Sequence, residues 1–156
     1  MSQEIEILGP VGKNLDLSLK GLADLVDRMR ASPHLEREDL PLVHRFTPGM
    51  YIRELHLPAH VAVVTMVHKT EHPYVVSAGE LLVWTKEGGV QNIKAPFCGI
   101  TKPGTIRLAV TLTPVIWTTF HVTNETDMKK LEQELVLEPR TAAIELENKE
   151  QICHLL

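Results

Sequence analysis

Between Thr47 and Thr123 the chain consists of short runs rich in Val, Ile and Thr, each closed by Gly or Pro, and no other sequence feature restricts the fold as much. β-Branched residues suit the pleated, half-buried surface of a strand, whereas Gly and Pro supply the backbone angles of turns. The predicted strands are Tyr51–His56, Val61–His68, Tyr74–Ser77, Glu80–Thr85, Val90–Lys94, Ile106–Thr111 and Val115–Val122. Turn signals separate them at Pro58, Thr70-Glu71, Ala78-Gly79, Gly88-Gly89, Pro103-Gly104 and Thr113-Pro114. Many short strands so punctuated predict an all-β sandwich or barrel. Gly88-Gly89 reads as a hairpin turn, because the Lys-Ser/Thr pair and helix of a phosphate loop do not follow it.

Both flanks change period. Leu19, Leu22, Leu25, Val26 and Met29 recur at helical spacing between Ser18, a suitable N-cap, and Pro33, which predicts a helix from Ser18 to Arg30. Its apolar stripe is expected to pack on the chain's own barrel, with a partner-binding or dimerising helix as the alternative. Asn124 and Asp127 open a second helix through Met128, Leu131 and Leu135, interrupted at Pro139. The segment from Ala142 to Leu156 mixes helix formers with charge and ends in an apolar cluster suited to dock on the barrel or on a neighbouring subunit. The expected organisation is an N-terminal arm with one amphipathic helix (1–46), a barrel (47–123), and a C-terminal helix and tail (124–156).

Composition narrows the class. A chain of 156 residues with 44% hydrophobic content fits one domain with a single core. The net charge of −4 and the scattered basic residues give no general attraction to nucleic acid or to anionic lipid. The first six residues lack the basic start and apolar run of a signal peptide, and no apolar stretch approaches the roughly 20 residues of a membrane span. A cytoplasmic protein without nucleic-acid or membrane partners is expected. Cys98 and Cys153 lie far apart without metal-type spacing, so a reduced pair is expected, with Cys98 a packed thiol.

The middle zone resembles the cupins, whose barrel is marked by two short motifs. The first runs Gly, five residues, His-x-His, three or four residues, Glu, six residues, Gly. Anchored on Gly79, it places His72 at the Glu position, His68 at the second His and Met66 at the first. Lys102-Pro103-Gly104-Thr105-Ile106-Arg107 is the nearest match to the second motif, with Arg107 in place of its His and Thr111 in place of its Asn. Leu57-Pro58-Ala59 is similar to the turn that often precedes the first motif. This resemblance covers about half the chain and implies a mainly β fold: a single cupin-type β-barrel, the double-stranded β-helix or jelly roll, with an N-terminal helix and a C-terminal helix and tail. Between Pro58 and Leu135 the segments His68-Lys69-Thr70-Glu71-His72, Lys94-Ala95-Pro96-Phe97 and Trp117-Thr118-Thr119-Phe120-His121 resemble small cupin-type proteins of tailed bacteriophages and prophages. That likeness implies a viral or prophage origin, hence the host cytoplasm, with association with the virion as the alternative.

The site is expected at His68 and His72. If Thr70-Glu71 is the turn between two antiparallel strands, the flanking histidines face each other across the ladder and can share an ion. Neutral imidazole suits one divalent transition metal, Zn²⁺, Fe²⁺, Mn²⁺ or Ni²⁺, and a third ligand would complete a set with an open position. His121, which shares a strand face with Trp117 and Thr119, is the best third ligand, and Glu71, Glu54, His56 and His60 are held in reserve. The competing arrangement is a polar turn whose histidines bond carbonyls and hold no ion. Arg107 and Trp117 are the ligand-binding expectation, since an inward guanidinium would fork onto a carboxylate or phosphate. An outward Arg107 paired with a surface acid is the simpler arrangement. No reaction is identifiable, because no general base or nucleophile is marked. Two functions follow: a small-molecule site in the barrel, or a structural protein of a phage in which the terminal arms make homo-oligomer contacts or bind other phage proteins.

Overall fold

Antiparallel strands alternate between two sheets along this chain. The computed structural model describes Asp16, residues 18–31 and residues 40–155, with side chains to residue 149. Its strands are β1 (Leu42–Thr47), β2 (Met50–Leu57), β3 (Ala62–Val64), β4 (Val67–His68), β5 (His72–Ala78), β6 (Glu80–Thr85), β7 (Gly89–Lys94), β8 (Phe97–Thr101), β9 (Leu108–Thr111), β10 (Val115–Val122) and β11 (Val136–Leu137). The helices are α1 (Leu19–Ala31), α2 (Met128–Leu135) and α3 (Pro139–Leu155). One sheet has the order β1-β2-β10-β5-β8, the other β3-β9-β6-β7, and β4 with β11 forms a small ribbon. Leave out β1 and the ribbon, and the remaining strands pair first with last (β2, β10), second with seventh (β3, β9), third with sixth (β5, β8) and fourth with fifth (β6, β7). That nested pairing is a jelly roll, and the mainly β barrel with flanking helices follows from it.

Glycine makes one crossing between the sheets possible. Gly79, between β5 and β6, has φ of +87°, and a Cβ there would lie 2.0 Å from the carbonyl oxygen of Pro114. Only glycine fits both the angle and the approach.

The β6 run Leu81-Leu82-Val83-Trp84 is buried throughout, because both of its faces are covered. Leu81 and Val83 turn into the barrel with Leu57, Tyr74, Val76, Ile93, Ala109 and Val115. Leu82 and Trp84 turn outward, against Leu22 and Leu25 of α1 and Ala142 of α3. Each such leucine contributes about 1.5–3 kcal/mol by leaving water. The stripe of α1 thus packs on its own barrel, and Ser18 caps it by accepting the Gly21 N–H at 3.1 Å. The α1–α3 contact is rimmed by Arg30 with Glu138 at 2.9 Å and by Arg140 with Asp24 and Asp27. These pairs are exposed, so apolar burial rather than charge holds the helices.

Several elements depart from the sequence expectation for physical reasons. β1 falls within the predicted arm, yet pairs along its whole length with β2. Its side chains are mostly exposed, so burial left no alternation to read. The predicted strand Val61–His68 breaks at Thr65, whose N–H donates to the Arg107 carbonyl while its hydroxyl accepts the Arg107 N–H at 2.9 Å. β8 was not predicted, and it contains Gly99, a weak strand former; a Cβ there would be 2.6 Å from the Tyr74 ring. Pro139 starts α3 instead of only interrupting, since the first helical position needs no N–H. Cys98 is exposed rather than packed, because it lies with Ile100 on the outward face of β8. Pro33 and the side chain of Cys153 lie outside the described residues.

Candidate functional site

The register of the larger sheet lines up one inward row of polar and aromatic side chains. His121 of β10 stands opposite Tyr51 of β2, Thr119 lies between Arg53 and Tyr74, and Trp117 lies between Leu55 and Val76. On the far side His72 pairs with Thr101 and Tyr74 with Gly99. Tyr51, Arg53, Leu55, His72, Thr101, Trp117, Thr119 and His121 of this row face a cavity of about 450 Å³, lined also by Met66, His68, Arg107 and Ala109. α2 closes one side of it. Its N-cap Asp127 accepts the Lys129 and Lys130 N–H groups, and Leu131 and Leu135 pack on Tyr51.

Three of the predicted residues meet here. The ring centroids of His68 and His72 are 4.3 Å apart, those of His72 and His121 4.3 Å, and those of His68 and His121 6.0 Å. The hairpin expected to bring the first two together does not form. β4 pairs with β11, placing His68 opposite Val136, while β5 pairs with β8 and β10. A bend at Lys69-Thr70 carries the chain from the ribbon into the sheet, and the rings meet through that bend rather than across a ladder.

Burial sets the charge of the cluster. His72 and His121 are buried, and desolvation lowers both, His121 to about 4 with the nearby His72 adding to it. His68 falls to about 3, again through desolvation first and then through His72, His121, Arg107 and Arg53. All three imidazoles are therefore neutral near pH 7. The His72 Nδ1–H donates to the Thr70 carbonyl at 3.1 Å, which leaves the Nε2 lone pair free. His121 Nε2 is bonded to the Thr119 hydroxyl at 2.9 Å. His68 Nδ1, His72 Nε2 and His121 Nδ1 are buried without a hydrogen-bond partner among the described residues. A buried ring nitrogen without a partner is costly.

These atoms test whether a transition metal suits the residues present. Three neutral imidazoles, each with a partnerless ring nitrogen and two of them oriented by a hydrogen bond at the other nitrogen, are the donor chemistry such an ion requires. Among the described residues, however, no group of three His, Cys, Asp or Glu side chains already stands in a metal-holding arrangement. The donor set fits in kind. The reserve ligands do not join it: Glu71 pairs with Lys102 at 2.7 Å, Glu54 with His56 at 2.7 Å, and His60 is exposed.

Arg107 points inward, against the simpler expectation of an outward arginine on a surface acid. It is 7% exposed, and its Nη2 donates to the Thr101 hydroxyl at 3.1 Å. The guanidinium carbon lies 5.2 Å from the centre of the Tyr74 ring and 6.0 Å from that of Trp117, and those two rings stack at 4.6 Å. Alternation could not have shown this, since β9 is buried on both faces. Tyr51, Arg53 and Thr101 also line the cavity without having been singled out. Tyr51 and Arg53 share the parity of Leu55 in a predicted strand, which was the available signal, whereas Thr101 lies on the unpredicted β8.

No family model matches the chain, and no curated protein matches it. Solved structures do. A protein from Neisseria meningitidis aligns over 64% of this chain and 96% of its own, with 10% identity and a TM-score of 0.48. A cupin domain from Bordetella pertussis aligns over 56% and 97%, with 14% identity and a TM-score of 0.45. An uncharacterised protein with a double-stranded β-helix domain from Klebsiella pneumoniae aligns over 62% and 95%, with 17% identity and a TM-score of 0.46. The fold itself stands on the strand order and register given above. Among the described residues no helix is long and apolar enough to cross a membrane.

Proposed function

We propose that this chain is a cupin-type ligand-binding protein whose barrel pocket takes a small molecule beside one divalent transition metal held by His68, His72 and His121. The carrying observation is that three neighbouring imidazoles each keep one buried ring nitrogen without a partner among the described residues, on the wall of one cavity. Zn²⁺, Fe²⁺, Mn²⁺ and Ni²⁺ all accept such donors. When bound, the ion would supply a Lewis acid that polarises an oxygen of the ligand. The chain's own part is orientation: the Thr70 carbonyl holds the Nδ1–H of His72, and Thr119 steadies His121. Tyr51, Leu131 and Leu135 wall off the side under α2.

Elemental analysis of the purified protein tests this reading. Near-stoichiometric transition metal, lost in a His68→Ala, His72→Ala double variant, is the expected result, with a melting temperature that rises on adding Zn²⁺, Mn²⁺ or Fe²⁺. Metal-free protein whose melting temperature does not respond to any of these ions contradicts it.

A structural role, with the barrel as a scaffold in a phage particle or assembly, is the second reading. It is favoured by apolar side chains left on the surface: Val43 and Phe46 on the edge strand β1, and Ile144 and Leu146 on α3. An edge strand with a free ladder and apolar neighbours suits pairing with a second copy. Light scattering that returns a homo-oligomer, reduced to a monomer by Phe46→Lys, supports this reading; a monomeric wild type removes it.

A further inference from the structure

Arg107 is a buried cation with no counter-ion among the described residues. The ion pairs found there engage Arg30, Arg45, His56, Lys102 and Arg140, all with more exposed side chains. Arg107 has instead the Thr101 hydroxyl and the faces of the Tyr74 and Trp117 rings. All of these are neutral. A buried charge without an opposite partner is among the most costly arrangements a core can hold, and it persists where something supplies the missing charge. Among the described residues the carboxylates on the cavity wall are Glu132 and Glu138, and neither pairs with Arg107; Glu138 is held by Arg30 at 2.9 Å. The other cation on its wall, Arg53, has the field of Glu132 to oppose it, and the three histidines carry no charge near pH 7.

We infer that the pocket takes a monocarboxylate, with its carboxylate on the remaining N–H groups of Arg107 and its apolar body against Leu55, Leu57, Val63 and Ala109. This rests on the barrel pocket being the ligand site, but not on a metal being present. The guanidinium presents a planar fork that matches a carboxylate, and the lining leucines, valine and alanine match a hydrocarbon or aromatic body. One uncompensated positive charge calls for one negative charge. A phosphate dianion would leave a charge unpaired in the same apolar surroundings.

Calorimetric titration with benzoate and its neutral isostere benzamide tests the inference, on protein dialysed against EDTA and on protein supplied with Zn²⁺. The expected result is benzoate bound at least about tenfold more tightly than benzamide, a preference that Arg107→Met abolishes. Arg107→Lys, which keeps a charge but loses the fork, should retain part of the preference and serves if the Met variant does not fold. Equal binding of the two compounds overturns the inference. So does the absence of benzoate binding up to tens of millimolar, or tighter binding of inorganic phosphate, or an undiminished preference in folded Arg107→Met protein. The two readings fail separately: Arg107-dependent benzoate binding by protein that never takes up metal removes the metal alone, and metal uptake with Arg107-independent benzoate binding removes the carboxylate alone.

Discussion

His68, His72 and His121 stand so close that a proton on one repels a proton on the next, and burial already disfavours charge on each. In an unfolded chain a histidine takes its proton near pH 6.5. In the folded protein His121 does so only at about 4 and His68 at about 3. Over that window the unfolded state binds more protons, so the contribution to stability is complete above about pH 6.5 and declines as the pH falls toward the folded values. The urea midpoint should therefore drop between about pH 7.5 and about pH 5, and a His68→Asn, His121→Asn double variant should show a shallower drop. Equal slopes for the two proteins would contradict this account. His68 and His72 were legible as a pair from spacing alone. Their real approach was not, because it depends on a ribbon between Val67–His68 and Val136–Leu137 that joins segments remote in sequence.

Capping chemistry made α1 and α2 readable, whereas α3, which opens on Pro139, was not read as a helix. Ser18 and Asp127 accept the N–H groups that a helix leaves unpaired in its first turn, as their residue types announce. The cap of α2 also bears on the pocket, since Met128, Leu131 and Leu135 line it. Asp127→Ala should cost about 1 kcal/mol of stability. Hydrogen exchange should then quicken across residues 128–135 while β10, held by two neighbouring strands, stays protected. Equal loss of protection in both elements would mean that α2 is not an independently opening side of the site. The edge strands were the least readable. β1 shows no buried alternation because solvent covers most of its side chains, and β8 carries Gly99, a weak strand former whose missing Cβ admits the Tyr74 ring.

For the molecule as a whole, the helices are part of the core rather than appendages. α3 places Ala142 and Ala143 in the interior and ties α1 down over Leu82, Trp84, Leu108 and Val110. A chain ending at Glu138 should lose on the order of 2–4 kcal/mol, since it uncovers the outer face of one sheet. In a Trp117→Phe background the emission of Trp84 should shift to the red and the protein should bind a hydrophobic dye; unchanged emission would show that α3 is dispensable to the barrel. The sequence by itself determined the periods and their boundaries: strand runs closed by Gly and Pro, helical stripes after Ser18 and Asp127, and a pair of histidines in the first motif with Arg107 in the second. These are local properties, carried by propensity, parity and turn chemistry within a few residues. Only the tertiary structure decided that Arg107 turns inward and that His121 reaches His72. Both depend on which strands become neighbours, and pairing such as β10 between β2 and β5 is a competition among remote segments for one buried interior.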